Sequence, residues 1–307
     1  MATIKPFSSE LQHKINVLQD RRTAIKLGSI SFDSPLLLAP MSAICNVPYR
    51  LLMEDLGAGG TVSELISCHG INYGNDRTLK MLKVDPREKN MGLQLFGEDP
   101  EAMAKGAKVA QEYGPKFIDI NMGCPVRKVV TKGGGSALLK DPKKLGVFFG
   151  TVKKAIDIPL TIKIRTGWDE NSINAHEVIH IAKEEGVEFV AIHGRTRTQQ
   201  YQGNANWTLL ESIAEISPLP IIGNGDLHSK ELVMERLKVT RCQALMLGRG
   251  PLRDPFIFLS SYALESEDHL KFSGNDYLEI IERLFNYQES YIYHEKTLMV
   301  QMRKFIV

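Results

Sequence analysis

Eight short apolar or β-branched runs punctuate this chain, at residues 36–41, 61–66, 92–96, 116–121, 160–165, 189–193, 221–224 and 244–248. Helical patterns separate most of them, and such alternation marks parallel strands joined by helical crossovers. Eight units in succession predict a closed (β/α)8 TIM barrel, a fold that takes about 250 residues as one domain. Apolar residues at three-to-four spacing predict helices over 100–113, 173–185, 207–216 and 230–237, with Gly57, Gly114 and Gly186 where C-caps belong. The stretch 68–80 is polar and glycine-punctuated, and it fits a long active-site loop as well as a helix.

The 307 residues leave room for segments on both sides of the barrel. Residues 1–34 form an N-terminal arm and hairpin: Leu11, Ile15 and Leu18 recur at helical spacing, and residues 25–32 alternate apolar and polar around Gly28-Ser29. That hairpin is expected to plug the barrel's N-terminal mouth. The barrel is assigned to residues 35–255. Over 256–307 the strand pattern ceases and Tyr277, Ile280, Ile281, Leu284, Phe285, Tyr287 and Tyr291 recur at helical spacing, as in a small helical domain.

Charge and cysteine usage exclude several classes. The 38 basic residues are nearly matched by 36 acidic ones, so any RNA binding must come from a local patch. Cys45, Cys68, Cys124 and Cys242 form no C-x-x-C pair and no regular spacing, which argues against a zinc site and a disulfide framework. No stretch approaches the 18 or so apolar residues of a membrane span, and the N-terminus has no signal-like apolar core. A cytoplasmic protein with no membrane partner and no metal is expected, working as a monomer.

Three features carry chemistry. The strand ending Asp119-Ile120-Asn121-Met122-Gly123-Cys124-Pro125 holds one thiol on a turn at the strand's C-terminal end, where a parallel barrel keeps its chemistry. The seventh and eighth strands end in Gly223-Asn224-Gly225-Asp226 and Gly248-Arg249-Gly250, small residues that let backbone N–H groups approach a phosphate, with Arg249 beside them. Lys163 alternates into the barrel interior, where an ammonium needs an anion. Two partners satisfy it, a Schiff-base carbonyl or the N1/O2 edge of a reduced flavin.

Together with Ala39-Pro40-Met41, Gln94-Leu95-Phe96-Gly97, Lys163-Ile164-Arg165-Thr166-Gly167 and His193-Gly194-Arg195-Thr196-Arg197, these motifs, in this order, resemble those of the tRNA-dihydrouridine synthases, most closely the bacterial B-type branch. The resemblance spans residues 25–307. It implies FMN as cofactor, NADPH as reductant and transfer RNA as substrate, and it chooses the flavin as the partner of Lys163. The family's FMN contacts map onto Pro40, Met41, Ser42, Gln94, Lys163, His193, Asn224, Gly225, Asp226, Gly248 and Arg249. Ser42 stands where alanine is more usual, a change that a backbone contact tolerates. The family's cysteine is the acid that protonates C5 of uracil while hydride reaches C6, so Cys124 takes that role, with Asn121 beside flavin and substrate. A thiol with an ordinary pKa near 8.5 is mostly protonated at pH 7 and acidic enough to donate.

Transfer RNA is too large to enter a barrel, so the target base must flip into the mouth, and cations are expected around it. Arg127, Lys128 and Lys132 follow the cysteine, Arg165 ends the fifth strand, and Arg195 and Arg197 follow the sixth. Two departures from the family stand out. Its G-x-A-D-W appears as Gly203-Asn204-Ala205-Asn206-Trp207, where asparagine still caps a helix. The chain also stops at Val307, partway through the helical domain that the family uses to dock tRNA, so that domain is expected to be incomplete. Three other readings stay open: an FMN barrel oxidoreductase acting on a small molecule, a Lys163 Schiff-base aldolase, and a non-catalytic RNA-binding relic.

Overall fold

The protein is described by a computed structural model over residues 4–291 and 295–306; residues 1–3 of the arm, and 292–294 and 307 of the post-barrel segment, lie outside the described residues. Strands β1 (Ile25–Leu27) and β2 (Ile30–Phe32) form the expected antiparallel hairpin, turning at Gly28 with φ +60°. The barrel strands are β3 (Leu36–Leu38), β4 (Thr61–Val62), β5 (Ile66–Ser67), β6 (Met91–Phe96), β7 (Phe117–Met122), β8 (Leu160–Arg165), β9 (Val190–His193), β10 (Ile221–Asn224) and β11 (Ala244–Leu247). All pair in parallel in the order β3-β11-β10-β9-β8-β7-β6-β4, and β5 pairs farther along β6. Closure comes from the Gly59 N–H donating to Leu36 C=O at 2.8 Å and the Leu38 N–H donating to Gly60 C=O at 2.9 Å. Only glycine allows this seam, because a Cβ on Gly59 would sit 2.2 Å from the Ser34 carbonyl.

The second run, expected to be continuous over 61–66, is two strands instead. The Gln94 N–H donates to the Ser63 hydroxyl at 2.9 Å rather than to backbone, so the ladder breaks there and resumes at Ile66. The bulged segment turns Glu64 outward, and its carboxylate accepts the Ala43 N–H.

The helices are α1 (Ser9–Gln19), α2 (Val47–Asp55), α3 (Cys68–Asn72), α4 (Asp76–Met81), α5 (Pro100–Gln111), α6 (Arg127–Val130), α7 (Leu145–Ala155), α8 (Ala175–Glu184), α9 (Trp207–Ile216), α10 (Lys230–Val239), α11 (Gly250–Arg253), α12 (Ile257–Ser260), α13 (Gly274–Glu289) and α14 (Glu295–Ile306). The ambiguous stretch 68–80 is α3 and α4, capped by the Ser67 and Asn75 side chains. Asn206 caps α9 by accepting the Leu209 N–H, so the lost carboxylate leaves this helix start intact. Gly57, Gly114 and Gly186 take φ of +95°, +83° and +77° at helix ends, as expected. No helix among the described residues is long and apolar enough to cross a membrane.

Alternation along the strands divides the molecule. Leu93, Leu95, Ile118, Ile120, Ile162, Ile164 and Ile192 face outward into the layer against the helices, each worth about 1.5–3 kcal/mol on burial. The inward positions are apolar at the N-terminal end, where Phe32 of the hairpin meets Phe117 and Phe189 edge to face, at centroid distances of 6.2 and 6.0 Å. That plug leaves only the C-terminal end open. Helix α1 packs Leu11, Ile15 and Leu18 into one apolar cluster with α2, α12, α13 and the outer faces of β3 and β11. A buried ion pair, Lys14 to Asp276 at 2.9 Å, ties α1 to the first turn of α13.

Candidate active site

At the open end the inward positions turn polar and line a cavity of 390 Å³, within the usual range for a cofactor pocket. It gathers residues from most of the barrel strands: Pro40, Met41 and Ser42 after β3, Gln94 of β6, Asn121 and Cys124 from β7 and its turn, Lys163 and Arg165 of β8, and His193 of β9. Asn224, Gly225 and Asp226 follow from β10, and Gly248 and Arg249 from β11.

The thiol's turn is fastened by its backbone. The Cys124 N–H donates to Asn121 Oδ1 at 2.9 Å, and its carbonyl accepts the Ser136 hydroxyl, also at 2.9 Å. Burial raises the Cys124 pKa, with the Val126 N–H and the Arg165 charge opposing, so the group stays a thiol at neutral pH. Beside it Lys163 Nζ donates to Asn224 Oδ1 at 3.0 Å, while Asn224 Nδ2 donates to the Met246 carbonyl at 2.7 Å. Burial, and then the neighbouring Arg165, lowers the Lys163 pKa to about 8; Asp119 opposes them.

His193 is held neutral. Burial lowers its pKa well below the ordinary value, and Lys163, Arg165, Arg195 and Arg249 add to the fall. Five cations line the cavity, Lys163, Arg165, Arg195, Arg249 and Arg253, against the single carboxylate of Asp226. Such a surplus calls for an anion. The glycine turns make room for one: a Cβ on Gly248 would meet nothing nearer than Ala39 Cβ at 3.9 Å, whereas Gly225, at φ +135°, would drive a Cβ to 2.5 Å from Ala205. Residues 39–41 and Leu65 add an apolar wall. The residues present therefore fit a phosphate-bearing, partly apolar cofactor such as FMN.

The arginines expected at an RNA rim divide into two groups. Arg165 is 2% exposed, and its guanidinium donates to the carbonyls of Gly123, Thr196 and Gln200, each at 2.8 Å. Arg195, 3% exposed, grips Asp226 with two bonds of 2.9 Å and also reaches the carbonyls of Gln202 and Gly203. Both line the cavity, but as clamps on the loop 196–203 rather than as exposed cations. Burial alone would raise the Asp226 pKa; the Ala205 N–H and Arg195 bring it below the ordinary value. This grip also holds Asp226 at φ +56°, a left-handed conformation that costs a non-glycine residue about 1 kcal/mol or more. Arg127 and Arg197 line a shallower adjoining groove with Tyr201, and Lys128 and Lys132 stand exposed on and after α6. Arg197 lies over the Trp168 ring, 4.5 Å from its centroid, and Lys140 lies 3.8 Å from the same ring.

Several residues of the site were not singled out by sequence, among them Arg253, Tyr201 and Asp119. Tyr201 is 59% exposed at the cavity mouth, with Arg249 5.0 Å and Arg165 5.7 Å from its ring centroid. An aromatic residue two positions before a glycine, in an arginine-rich stretch, was the available signal. Asp119, 3% exposed beneath the cavity, accepts from Gln94 and Thr161; its place two residues before Asn121 on an alternating strand already put it inside the barrel.

Residues 37–306 match the family Dihydrouridine synthase (Dus). A probable tRNA-dihydrouridine synthase of Rickettsia prowazekii is 35% identical over 289 residues, covering 92% of this chain and 87% of that protein. The tRNA-dihydrouridine synthase B of Pasteurella multocida is 37% identical over 246 residues, 80% of this chain and 74% of that one. Among solved structures, a 2-naphthoyl-CoA reductase complex superposes with a TM-score of 0.60 at 13% identity, and histamine dehydrogenase from Rhizobium sp. 4-9 with 0.59 at 13%. This chain covers only 52% and 47% of those two, after aligning over 78% and 80% of itself, and the likeness establishes the barrel fold alone. The chain belongs to the dihydrouridine synthase family, in its B-type branch.

Proposed function

We propose that this chain is a tRNA-dihydrouridine synthase that holds FMN in the barrel mouth, takes electrons from NADPH and reduces a flipped-out uridine of tRNA. One observation carries the reading: a protonated thiol on the Cys124 turn faces the same cavity as a cation-rich, glycine-lined anion site. Family membership makes the cofactor a flavin. When bound, the reduced flavin supplies the hydride for C6 of the uracil. Gly225, Gly248 and Arg249 hold its phosphate; Pro40, Met41, Ser42, Gln94, Lys163, His193, Asn224 and Asp226 line its remaining length.

Cys124 keeps a proton on Sγ for C5, and Asn121 both fixes the cysteine's turn and faces the base. Arg165 and Arg195 shape the loop over the site, and Tyr201 offers an exposed ring on which an unstacked base can lie. Arg127, Lys128, Lys132 and Arg197 are the cations left for phosphates. Denaturing the purified protein is expected to release one yellow chromophore bearing a single phosphate per chain. Release of FAD, or of no flavin, would overturn the cofactor assignment. tRNA-dependent reoxidation of the reduced flavin then separates this reading from a small-molecule oxidoreductase and from a relic.

The rim makes a second expectation measurable. Binding of tRNA should weaken steeply with salt, and replacing Arg127, Lys128, Lys132 or Arg197 singly should flatten the slope of log affinity against log salt by just under about 1 unit each. Salt-insensitive binding, or four variants with the parental slope, would take these residues off the RNA surface.

A further inference from the structure

A polar row crosses the barrel interior beneath the thiol's turn. Asp119 pairs in register with Gln94 on β6 and Thr161 on β8. Its Oδ2 accepts from Gln94 Nε2 and its Oδ1 from Thr161 Oγ1, both at 2.7 Å. Gln94 Oε1 accepts from Asn121 Nδ2 at 2.8 Å, and Asn121 Oδ1 accepts the backbone N–H groups of Cys124 at 2.9 Å and Gly123 at 3.3 Å. The carboxylate's partners are thus an amide and a hydroxyl, both neutral, although it is buried where a lone charge is costly. Burial raises its pKa to about 6, with Gln94, Thr161 and Lys163 opposing, which leaves it ionised at neutral pH.

We propose that Asp119 is a positioning residue for proton delivery by Cys124: as an acceptor-only group it fixes the direction in which the Gln94 and Asn121 amides face, and through them the turn that carries the thiol. The inference rests on the function proposed above. A primary amide is nearly symmetric in shape, so packing alone does not choose between its oxygen and its nitrogen. A carboxylate does choose. It has no proton to give, so Gln94 must present NH2 to it and keep its oxygen for Asn121. Asn121 must then donate to Gln94 and keep its own oxygen for the Cys124 N–H. With a neutral amide at position 119 both directions become available. In the reversed one the Asn121 NH2 meets the Cys124 N–H, donor against donor, and the turn has to move. Thr161 follows rather than directs, since its hydroxyl can rotate.

The test is a double-mutant cycle with two readouts, using Asp119→Asn, Asn121→Ala and the double variant. The first readout needs no flavin: the rate at which iodoacetamide alkylates Cys124, followed by mass spectrometry, the other three cysteines being buried. The second is the rate of flavin reoxidation at saturating tRNA. Each single variant is expected to raise the alkylation rate and slow reoxidation by about 3- to 10-fold, the range of one neutral hydrogen bond. The double variant should be no worse than Asn121→Ala alone, because Asp119 acts through Asn121. A merely structural role would multiply the two losses, and that result overturns the proposal, as does parental behaviour of Asp119→Asn in both readouts. Should Asp119→Asn fail to fold, Gln94→Leu, which cuts the link between Asp119 and Asn121, replaces it in the alkylation cycle with the same non-additive reading expected. If the parental protein itself is not reoxidised by tRNA, the functional reading has failed, while the alkylation cycle still decides whether the amide row is directed.

Discussion

Cys124→Ala is expected to slow dihydrouridine formation by about 10²-fold or more, the range for losing a general acid, while flavin content and flavin reduction by NADPH stay near parental. The reason for so selective a loss lies in how the turn is built. Asn121 holds it through the residue's N–H, and Ser136 holds it through the residue's carbonyl, at 2.9 Å in each case. Neither contact uses Sγ. Alanine therefore keeps the backbone and the Cβ and removes only the proton donor. Single-turnover reoxidation of the reduced protein by tRNA measures the affected step, and a parental rate in the variant would assign the proton to another residue. Cys124→Ser is the informative companion. Its hydroxyl is a far weaker acid than a thiol, so it should recover little of the lost rate although it nearly matches the shape.

Much of this site was legible because strand alternation fixes direction. Asn121, Lys163, His193 and Asn224 sit on strands whose alternate residues are apolar and point outward, so the polar positions had to face the barrel interior. The glycine turns after β10 and β11 were legible for a similar reason, since their position is set by the strand order. What escaped was decided by side chains acting on distant backbone. The break between β4 and β5 depends on the Ser63 hydroxyl replacing a ladder carbonyl, which no periodicity reports. Helix α7, with Gly146 and Gly150 in its interior, is not among the helices that the apolar spacing marked out. In the fold a Cβ at Gly150 would lie 2.4 Å from the Glu185 carboxylate at the end of α8. Arg165 and Arg195 were visible as cations near the mouth, but sequence gives no sign of where a guanidinium points. The carbonyls of the loop 196–203 needed donors, and these two arginines met that need instead of facing solvent.

Lys163→Met is expected to weaken FMN retention by about 10- to 100-fold and to lower the flavin's reduction potential, because it removes a charged donor facing the cofactor and the cation that favours the reduced, more negative form. The pH dependence gives this a sign. In the empty protein burial holds the lysine pKa at about 8, against an ordinary value of 10.5, so the ammonium is present below about 8 and disappears above it. FMN binding should therefore weaken as pH rises through that value in the parental protein, and Lys163→Met should lack this limb. Stability of the empty protein should move the other way. Between about 8 and 10.5 the unfolded chain binds more protons than the folded one, so the parental protein gains stability relative to Lys163→Met as pH climbs across that window. Opposite trends in affinity and stability, both abolished by one substitution, would trace the two effects to the same buried ammonium. Should flavin retention, potential and pH profile all be unchanged in the variant, while a borohydride-trapped carbonyl adduct of the parent is lost, the lysine would be a Schiff-base amine and the flavin assignment at this position would fall.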